Sequence, residues 1–387
     1  MSNTAVGINP EVLRWARERA SLSLEEVARR LGKDSADIES WEDGEAAPTY
    51  IQLERLAYTV YKRPIAVFFF PEPPLEVEPR NEFRTLPEEQ IRGLSASTRM
   101  AIRDALARRL SLEELCDGRN PSNLLLFREM NVSPGDDFVG SARTAREFLG
   151  ITLEKQIGWR SAREALVYWR NAIEQVGVFV FKRALKQRTI SGFCLADNEF
   201  PLIVVNNSIP KTRQIFTLFH ELAHVLLSTS GITFRDDRFI GNLVGQPREI
   251  EVFCNRFAAE ALIPSDDFAQ YRDIDTWTDE VVESIANRYC VSREAILRRA
   301  VDWGRVSQEY YRRKAAEWAS QVSSSVSDGG DFYATYATYF GDSYLSLVFS
   351  QHHRGRLSAE ELSDHLGMKV ETAVKLEDYF LGRRTGI

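Results

Sequence analysis

The stretch Phe216-Thr217-Leu218-Phe219-His220-Glu221-Leu222-Ala223-His224-Val225-Leu226 constrains this chain more than any other. Phe216, Leu218, Phe219, Leu222, Ala223, Val225, Leu226 and Leu227 make the helix expected there apolar almost all round, which predicts that it is buried. Two histidines and a carboxylate in such a helix are costly unless they are paired or hold a metal. His220 and His224 are one turn apart on one face, close enough to share a single zinc ion. The pattern is H-E-x-x-H, in which the intervening Glu221 is the expected general base for water activated at the metal. The bland alternative is a pair of core histidines satisfied by backbone carbonyls.

Catalytic zinc takes three protein ligands and keeps one position open. The third ligand is expected from another element, and Glu249, Glu251 and Glu260 all lie on the next helix, near 248–262. Ile250, Phe253, Cys254, Phe257 and Ala261 form its apolar face, with Glu249 and Glu251 on opposite flanks and Glu260 on the Glu249 side. Asn255, one turn beyond Glu251, is the expected partner that orients a ligand. Spacing alone leaves the three glutamates open. Cys254 is a soft donor able to compete for zinc, but its position on the buried face makes it a core residue at this stage.

The rest of the chain divides by pattern. Residues 1–70 predict five short helices. Ser23 and Glu26 have capping-box spacing, Gly32 stops the helix that follows, Asp34 caps the next, and Pro48-Thr49 starts a fourth. Pro71-Glu72-Pro73-Pro74 is stiff and extended, a domain boundary. A helical region covers 71–139. Within 140–305 the period changes: Val176 to Phe181, Ser191 to Leu195 and Leu202 to Val205 predict a small sheet before the two long apolar helices. Residues 306–387 are expected to be helical, with a flexible linker from Ser323 to Gly330, a core-packing aromatic run from Phe332 to Tyr344, and one helix from Leu357 through Leu376. That helix, capped at Ser358, is a candidate small helix-turn-helix-like or dimerisation unit. The fold class is therefore mainly α with a small β-sheet, α+β.

Composition excludes several classes. Of 387 residues, 44% are hydrophobic and 27% charged, so the chain is neither wholly disordered nor fibrous. A net charge of −7 excludes a strongly basic nucleic-acid coat while allowing local DNA contacts. Cys116, Cys194, Cys254 and Cys290 form no CxxC pair, which predicts a reducing cytoplasm rather than a disulfide framework. No apolar run reaches membrane-spanning length, and no signal peptide is expected. His352-His353 lacks paired ligands in its neighbourhood, so no second metal site is expected there.

Val205-Asn206-Asn207, Arg213 through His224, and Glu251-Val252-Phe253-Cys254-Asn255-Arg256-Phe257-Ala258-Ala259-Glu260 ending at Leu262-Ile263-Pro264 resemble the ImmA/IrrE family of zinc metallopeptidases. The resemblance covers about 140–305. It implies a zincin-like domain with zinc held by His220, His224 and Glu251, and Glu221 as the catalytic base. Asn206, at the strand end before the active helix, is expected to line the peptide groove.

Leu24-Glu25-Glu26-Val27-Ala28, Leu31-Gly32, Ile38 through Gly44 and Pro48-Thr49 resemble the XRE (Cro/repressor-like) helix-turn-helix family. This implies a recognition helix at 35–42 with its N-terminal residues in the major groove. The expected DNA-contacting residues are Arg29, Arg30, Lys33, Ser35, Ala36 and Ser40, with Arg14, Arg17 and Arg19 as further backbone contacts. Residues 1–70 carry nine Lys/Arg and eleven Asp/Glu, 9 − 11 = −2, and the recognition helix carries Asp37, Glu39 and Glu42 but no Lys or Arg. A protein-docking role for this module is the competing expectation.

Together these features predict a cytoplasmic HTH-fused zinc metallopeptidase that regulates transcription by cutting a repressor- or antitoxin-like protein. DNA is a possible second partner and a homodimer a possible assembly; no membrane is involved. The alternative is a non-catalytic, antitoxin-like regulator that binds DNA or protein and whose zinc domain is structural or sensing.

Overall fold

A computed structural model describes residues 4–20, 22–75, 79–83, 86–187, 189–234, 237–321 and 331–385. The chain forms two compact units, one of residues 1–104 and 185–188, the other of 105–184 and 189–387.

The first unit is built from short, individually capped helices. Helix α1 (Pro10–Arg19) starts where the Asn9 side chain accepts from the Glu11 amide, with Pro10 in the first turn. Helix α2 (Leu24–Leu31) carries the expected capping box. The Ser23 amide donates to Glu26 Oε2 at 2.9 Å, and the Glu26 amide donates back to Ser23 Oγ at 3.2 Å. Gly32 closes it with φ +69°, a left-handed conformation that costs glycine nothing. Helix α3 (Ser35–Glu42) follows, then α4 (Tyr50–Glu54), capped by Thr49. A π-helical turn over Arg55–Tyr61 continues α4, and a 3-10 turn over Ile65–Phe69 ends the helical part. Val12, Val27, Ile38, Leu53, Leu56 and Phe68 are buried between them. The five expected helical segments are all present, and the unit extends past Pro71–Pro74 to Asp104.

Helix α5 (Ala96–Leu115) begins in the first unit and ends in the second, where α6 (Phe138–Leu149) and α7 (Ala162–Gln175) follow. Strands β1 (Phe179–Arg183), β2 (Ile190–Leu195) and β3 (Leu202–Asn206) come next, then α8 (Lys211–Leu226), β4 (Gly231–Phe234) and α9 (Gln246–Leu262). The sheet is mixed, in the order β1-β3-β2-β4. β1 and β3 are parallel, and β2 is antiparallel to both β3 and β4. Every residue of β2 and β3 is buried, which is why Phe193 to Leu195 and Leu202 to Val205 appear in sequence as apolar runs. Strand β4 was not expected: four residues, Gly-Ile-Thr-Phe, are too few to display a period.

Helix α8 is buried from Ile215 to Leu226 save for Phe216. It lies against β2, β3 and β4 on one side and α7 and α9 on the others. Val180, Cys194, Ile203 and Val205 join it in one core, and Trp169 of α7 meets Phe219 edge-on at 4.8 Å between ring centroids. The sheet approaches α8 closely because β2 and β4 present glycines there. A Cβ on Gly192 would sit 2.6 Å from Thr217 Cγ2, and one on Gly231 would sit 2.7 Å from the His224 ring.

Helices α10 (Asp279–Tyr289), α11 (Arg293–Asp302) and α12 (Gln308–Gln321) continue the unit. The expected linker at Ser323 to Gly330 lies outside the described residues. The last segment is four helices: α13 (Phe332–Phe340), α14 (Asp342–His353), α15 (Ala359–Leu366) and α16 (Val370–Thr385). The single helix expected from Leu357 through Leu376 is broken at Gly367, where φ is +61°. Of the aromatic run, Phe340 and Tyr344 are buried, and Tyr344 meets Phe181 of β1, whereas Phe332 is exposed. All four cysteines are free. Among the described residues, no helix is long and apolar enough to cross a membrane.

Candidate metal centre and helix-turn-helix face

Helix spacing puts His220, Glu221 and His224 on the part of α8 enclosed by α9 and β4, and all three are at most 2% exposed. Glu251 comes from α9. Its Oε2 lies 3.4 Å from His220 Nε2, and its Oε1 lies 3.4 Å from His224 Nε2. Two donors each about 2.0–2.1 Å from one zinc ion stand roughly 3.3 Å apart at a tetrahedral angle, so these separations suit a shared metal.

The remaining polar atoms agree with that. His220 Nδ1 lies 3.0 Å from Asn255 Oδ1, and His224 Nδ1 lies 3.4 Å from Thr229 Oγ1. With Nδ1–H donating outward, each Nε2 keeps a lone pair pointing inward. Both Nε2 atoms, and Glu221 Oε2, are buried without a hydrogen-bond partner among the described residues. Orphaned buried polar atoms are costly, and two such imidazole nitrogens bridged by one carboxylate suit a cation. The donor set therefore fits zinc.

Glu221 Oε1 accepts from the Thr233 hydroxyl at 2.5 Å and from the Thr233 amide at 3.2 Å, both from β4. Burial pushes the Glu221 carboxyl above the usual carboxylate range, against the pull of His224 and His220. Burial also acts to raise Glu251, but His224 and His220 outweigh it and bring that carboxyl down to about 2. The two carboxyls are thus driven in opposite directions.

Of the three candidate third ligands, only Glu251 reaches the histidines. Glu249 is exposed. Glu260 is buried but committed elsewhere: it accepts from the Ser265 amide at 2.8 Å and hydroxyl at 2.6 Å, and pairs with Arg299. Asn255 orients His220 rather than Glu251. Asn206 does not line a groove. It is 1% exposed, its Nδ2 donates to the Ile190 carbonyl at 2.9 Å and its Oδ1 accepts from the Ser208 amide, so it fastens the end of β3. Cys254 is not merely a core residue: its Sγ and the ligand atoms of His220 and His224 all lie within 4.8 Å of one another.

Residues 173–301, which contain all of these groups, match the family model of the IrrE N-terminal-like domain, a peptidase family, and residues 11–60 match that of a helix-turn-helix domain. The chain joins an IrrE-like domain to a helix-turn-helix domain. No curated protein matches it. The IrrE-like domain holds Thr229, Gly231 and Thr233 as well as the H-E-x-x-H helix. Sequence reasoning missed these three because they lie on a turn and on the strand it did not find. The glycine directly after the polar Ser228-Thr229-Ser230 turn was the only signal of that strand.

In the helix-turn-helix domain, several of the expected DNA contacts are already engaged. Arg17 Nε and a terminal guanidinium nitrogen each reach Glu42 at 2.8 Å, Glu42 being 5% exposed. Arg14 pairs with Asp43 at 2.5 Å, and Lys33 Nζ lies 3.4 Å from Asp37. The acidic character of α3 is thereby largely neutralised, leaving Glu39 as its exposed carboxylate. Arg29, Arg30 and Ala36 are exposed, and Ser35 and Ser40 half-buried, with the Ser40 hydroxyl donating to the Asp37 carbonyl. His352 and His353 both lie against Glu377, at 3.2 and 3.1 Å.

Proposed function

We propose that the chain is a transcriptional regulator whose second unit is a zinc peptidase and whose first docks on DNA. The observation that carries this reading is the convergence of His220, His224 and Glu251 around buried, unsatisfied Nε2 atoms, with an equally unsatisfied Glu221 oxygen beside them. His220, His224 and Glu251 would hold zinc, and Asn255 and Thr229 would fix the two imidazoles. Zinc, when bound, would supply Lewis-acid polarisation of the scissile carbonyl and of water.

The chain's own residues do the rest. Thr233 anchors Glu221 through Oε1, so Oε2 is the oxygen that takes a proton from water and passes it to the leaving amide nitrogen. The raised Glu221 carboxyl suits an acid–base group that must both accept and release a proton. Strand β4 is the end strand of the sheet, and an extended substrate segment would pair with its outer edge, alongside Glu221. The substrate is a repressor- or antitoxin-like protein whose cutting changes expression in the cytoplasm, and the catalytic domain spans about 140–305.

A second reading is a non-catalytic zinc sensor, favoured by the nearly complete burial of the site. Glu221→Gln separates the two. It keeps size and touches no ligand, so zinc content should hold while any protein shortened only in wild-type cells becomes full-length. If regulation survives Glu221→Gln but not His220→Ala, the peptidase reading is wrong. Glu251→Ala should lower zinc affinity strongly and Glu249→Ala should not; the reverse would move the ligand.

A further inference from the structure

Helix α9 presents Glu251 and Cys254 one turn apart, on the same face towards α8. Cys254 is fully buried, and its Sγ lies with the His220 and His224 ligand atoms inside a 4.8 Å cluster. The ionisable groups that face it are His224, Glu251, Glu221 and Cys194. The other two buried thiols are employed differently: Cys194 Sγ donates to the Thr229 carbonyl at 3.7 Å, and Cys290 Sγ to the carbonyls of Trp159 and Asn287. Both histidine Nε2 atoms are buried without a hydrogen-bond partner among the described residues, and the sulfur lies within 4.8 Å of a ring nitrogen of each histidine.

We propose that Cys254 is a fourth protein ligand, and that the resting site is closed by His220, His224, Glu251 and Cys254 together. This rests on the zinc reading above. Thiolate is the softest donor available in the cluster and a preferred one for zinc, and four protein donors complete a tetrahedral sphere. On binding, the thiol gives its proton to solvent, and on release it takes one back. With the sphere full, no position remains for water beside Glu221, so the resting protein is latent, and departure of the Cys254 sulfur is the activating event. The near-absence of solvent access to the four side chains agrees with a closed site.

Zinc-edge X-ray absorption on the zinc-loaded full chain tests this without any measurement of activity. Expected in the wild type is one sulfur scatterer at about 2.3 Å beside nitrogen and oxygen at about 2.0–2.1 Å. Cys254→Ala should lose the sulfur shell and still retain zinc, while Cys194→Ala should keep the shell. Zinc held by nitrogen and oxygen alone in the wild type overturns the proposal and leaves the three-ligand reading standing. Loss of the sulfur shell in Cys194→Ala but not in Cys254→Ala also overturns it. A chain that retains no zinc overturns the metal reading and this proposal with it. Should Cys254→Ala fail to fold, the wild-type and Cys194→Ala spectra decide alone.

Discussion

Thr233 grips Glu221 twice, through its hydroxyl at 2.5 Å and its amide at 3.2 Å, both on the same carboxylate oxygen. The amide contact survives substitution by any residue but proline, whereas the hydroxyl contact depends on the side chain. Thr233→Val keeps the shape and removes the hydroxyl. We expect zinc content to stay unchanged and cleavage in cells to fall about 10-fold to 100-fold, since a general base that wanders loses part of its roughly 10²–10⁴-fold contribution. Measuring metal content beside the rate at which the shortened protein appears will check this. A rate equal to the wild type would mean that Thr233 has no positioning role.

Gly231 has space for hydrogen only, because a Cβ there would stand 2.7 Å from the His224 ring. Gly231→Ala should destabilise the second unit by about 1–3 kcal/mol through overpacking and weaken zinc retention by tilting His224. Thermal unfolding and metal content after dialysis are the readouts. A more stable variant, the usual result of replacing glycine within a strand, would show that the contact is relieved at no cost.

Lys182 on β1 is 7% exposed, and burial, aided by Arg170 and Lys211, lowers its ammonium from the ordinary 10.5 to about 7. Between those values the unfolded chain binds more protons than the folded one. Stability should therefore rise with pH from about 7 towards 10.5, with this residue's contribution flat below 7. Lys182→Met should flatten that rise and raise the melting temperature at pH 7 by a few degrees, at about 2–4 °C per kcal/mol. An unchanged pH profile in the variant would assign the slope to other groups.

Arg17 and Arg29 should behave in opposite ways although both were expected to touch DNA. Arg17→Ala leaves the buried Glu42 with Arg14 Nε alone, 3.8 Å from its Oε2, at a cost of up to about 3 kcal/mol. Arg29→Ala and Arg30→Ala should stay within about 0.5 kcal/mol of wild-type stability. Each should nevertheless lower the affinity for every DNA sequence and reduce the salt dependence by about one phosphate contact. Denaturation of the full chain and DNA titration at several salt concentrations distinguish these outcomes. No binding to any DNA at low salt would favour protein docking.

The parts of this molecule that were legible in sequence are those specified by neighbours along the chain. Ser23 with Glu26, Gly32 and Thr49 mark helix ends through bonds spanning three or four residues, so the first unit's helices were found. His220, Glu221 and His224 were found because one helix turn brings them together. Glu251 needed the family resemblance, since periodicity left it level with Glu249 and Glu260. Only the pairing of Glu260 with Arg299, 39 residues on, removes that rival. Cys254 looked like packing because helical spacing gives the face a residue lies on but not what stands opposite. Asn206 failed for the converse reason: a polar residue at a strand end resembles a groove lining until its carbonyl partners are known.

One short strand carries two unrelated duties. Gly231 presses on the His224 imidazole, Thr233 holds the Glu221 carboxylate, and both belong to β4, whose outer edge is where, on the function proposed, an extended chain would pair. A segment annealing there would pull on the ligand and the base at once, so docking and proton transfer share a single lever. Changes that stiffen β4 should therefore alter substrate affinity and turnover together, with no residue at the edge touching the reacting bond.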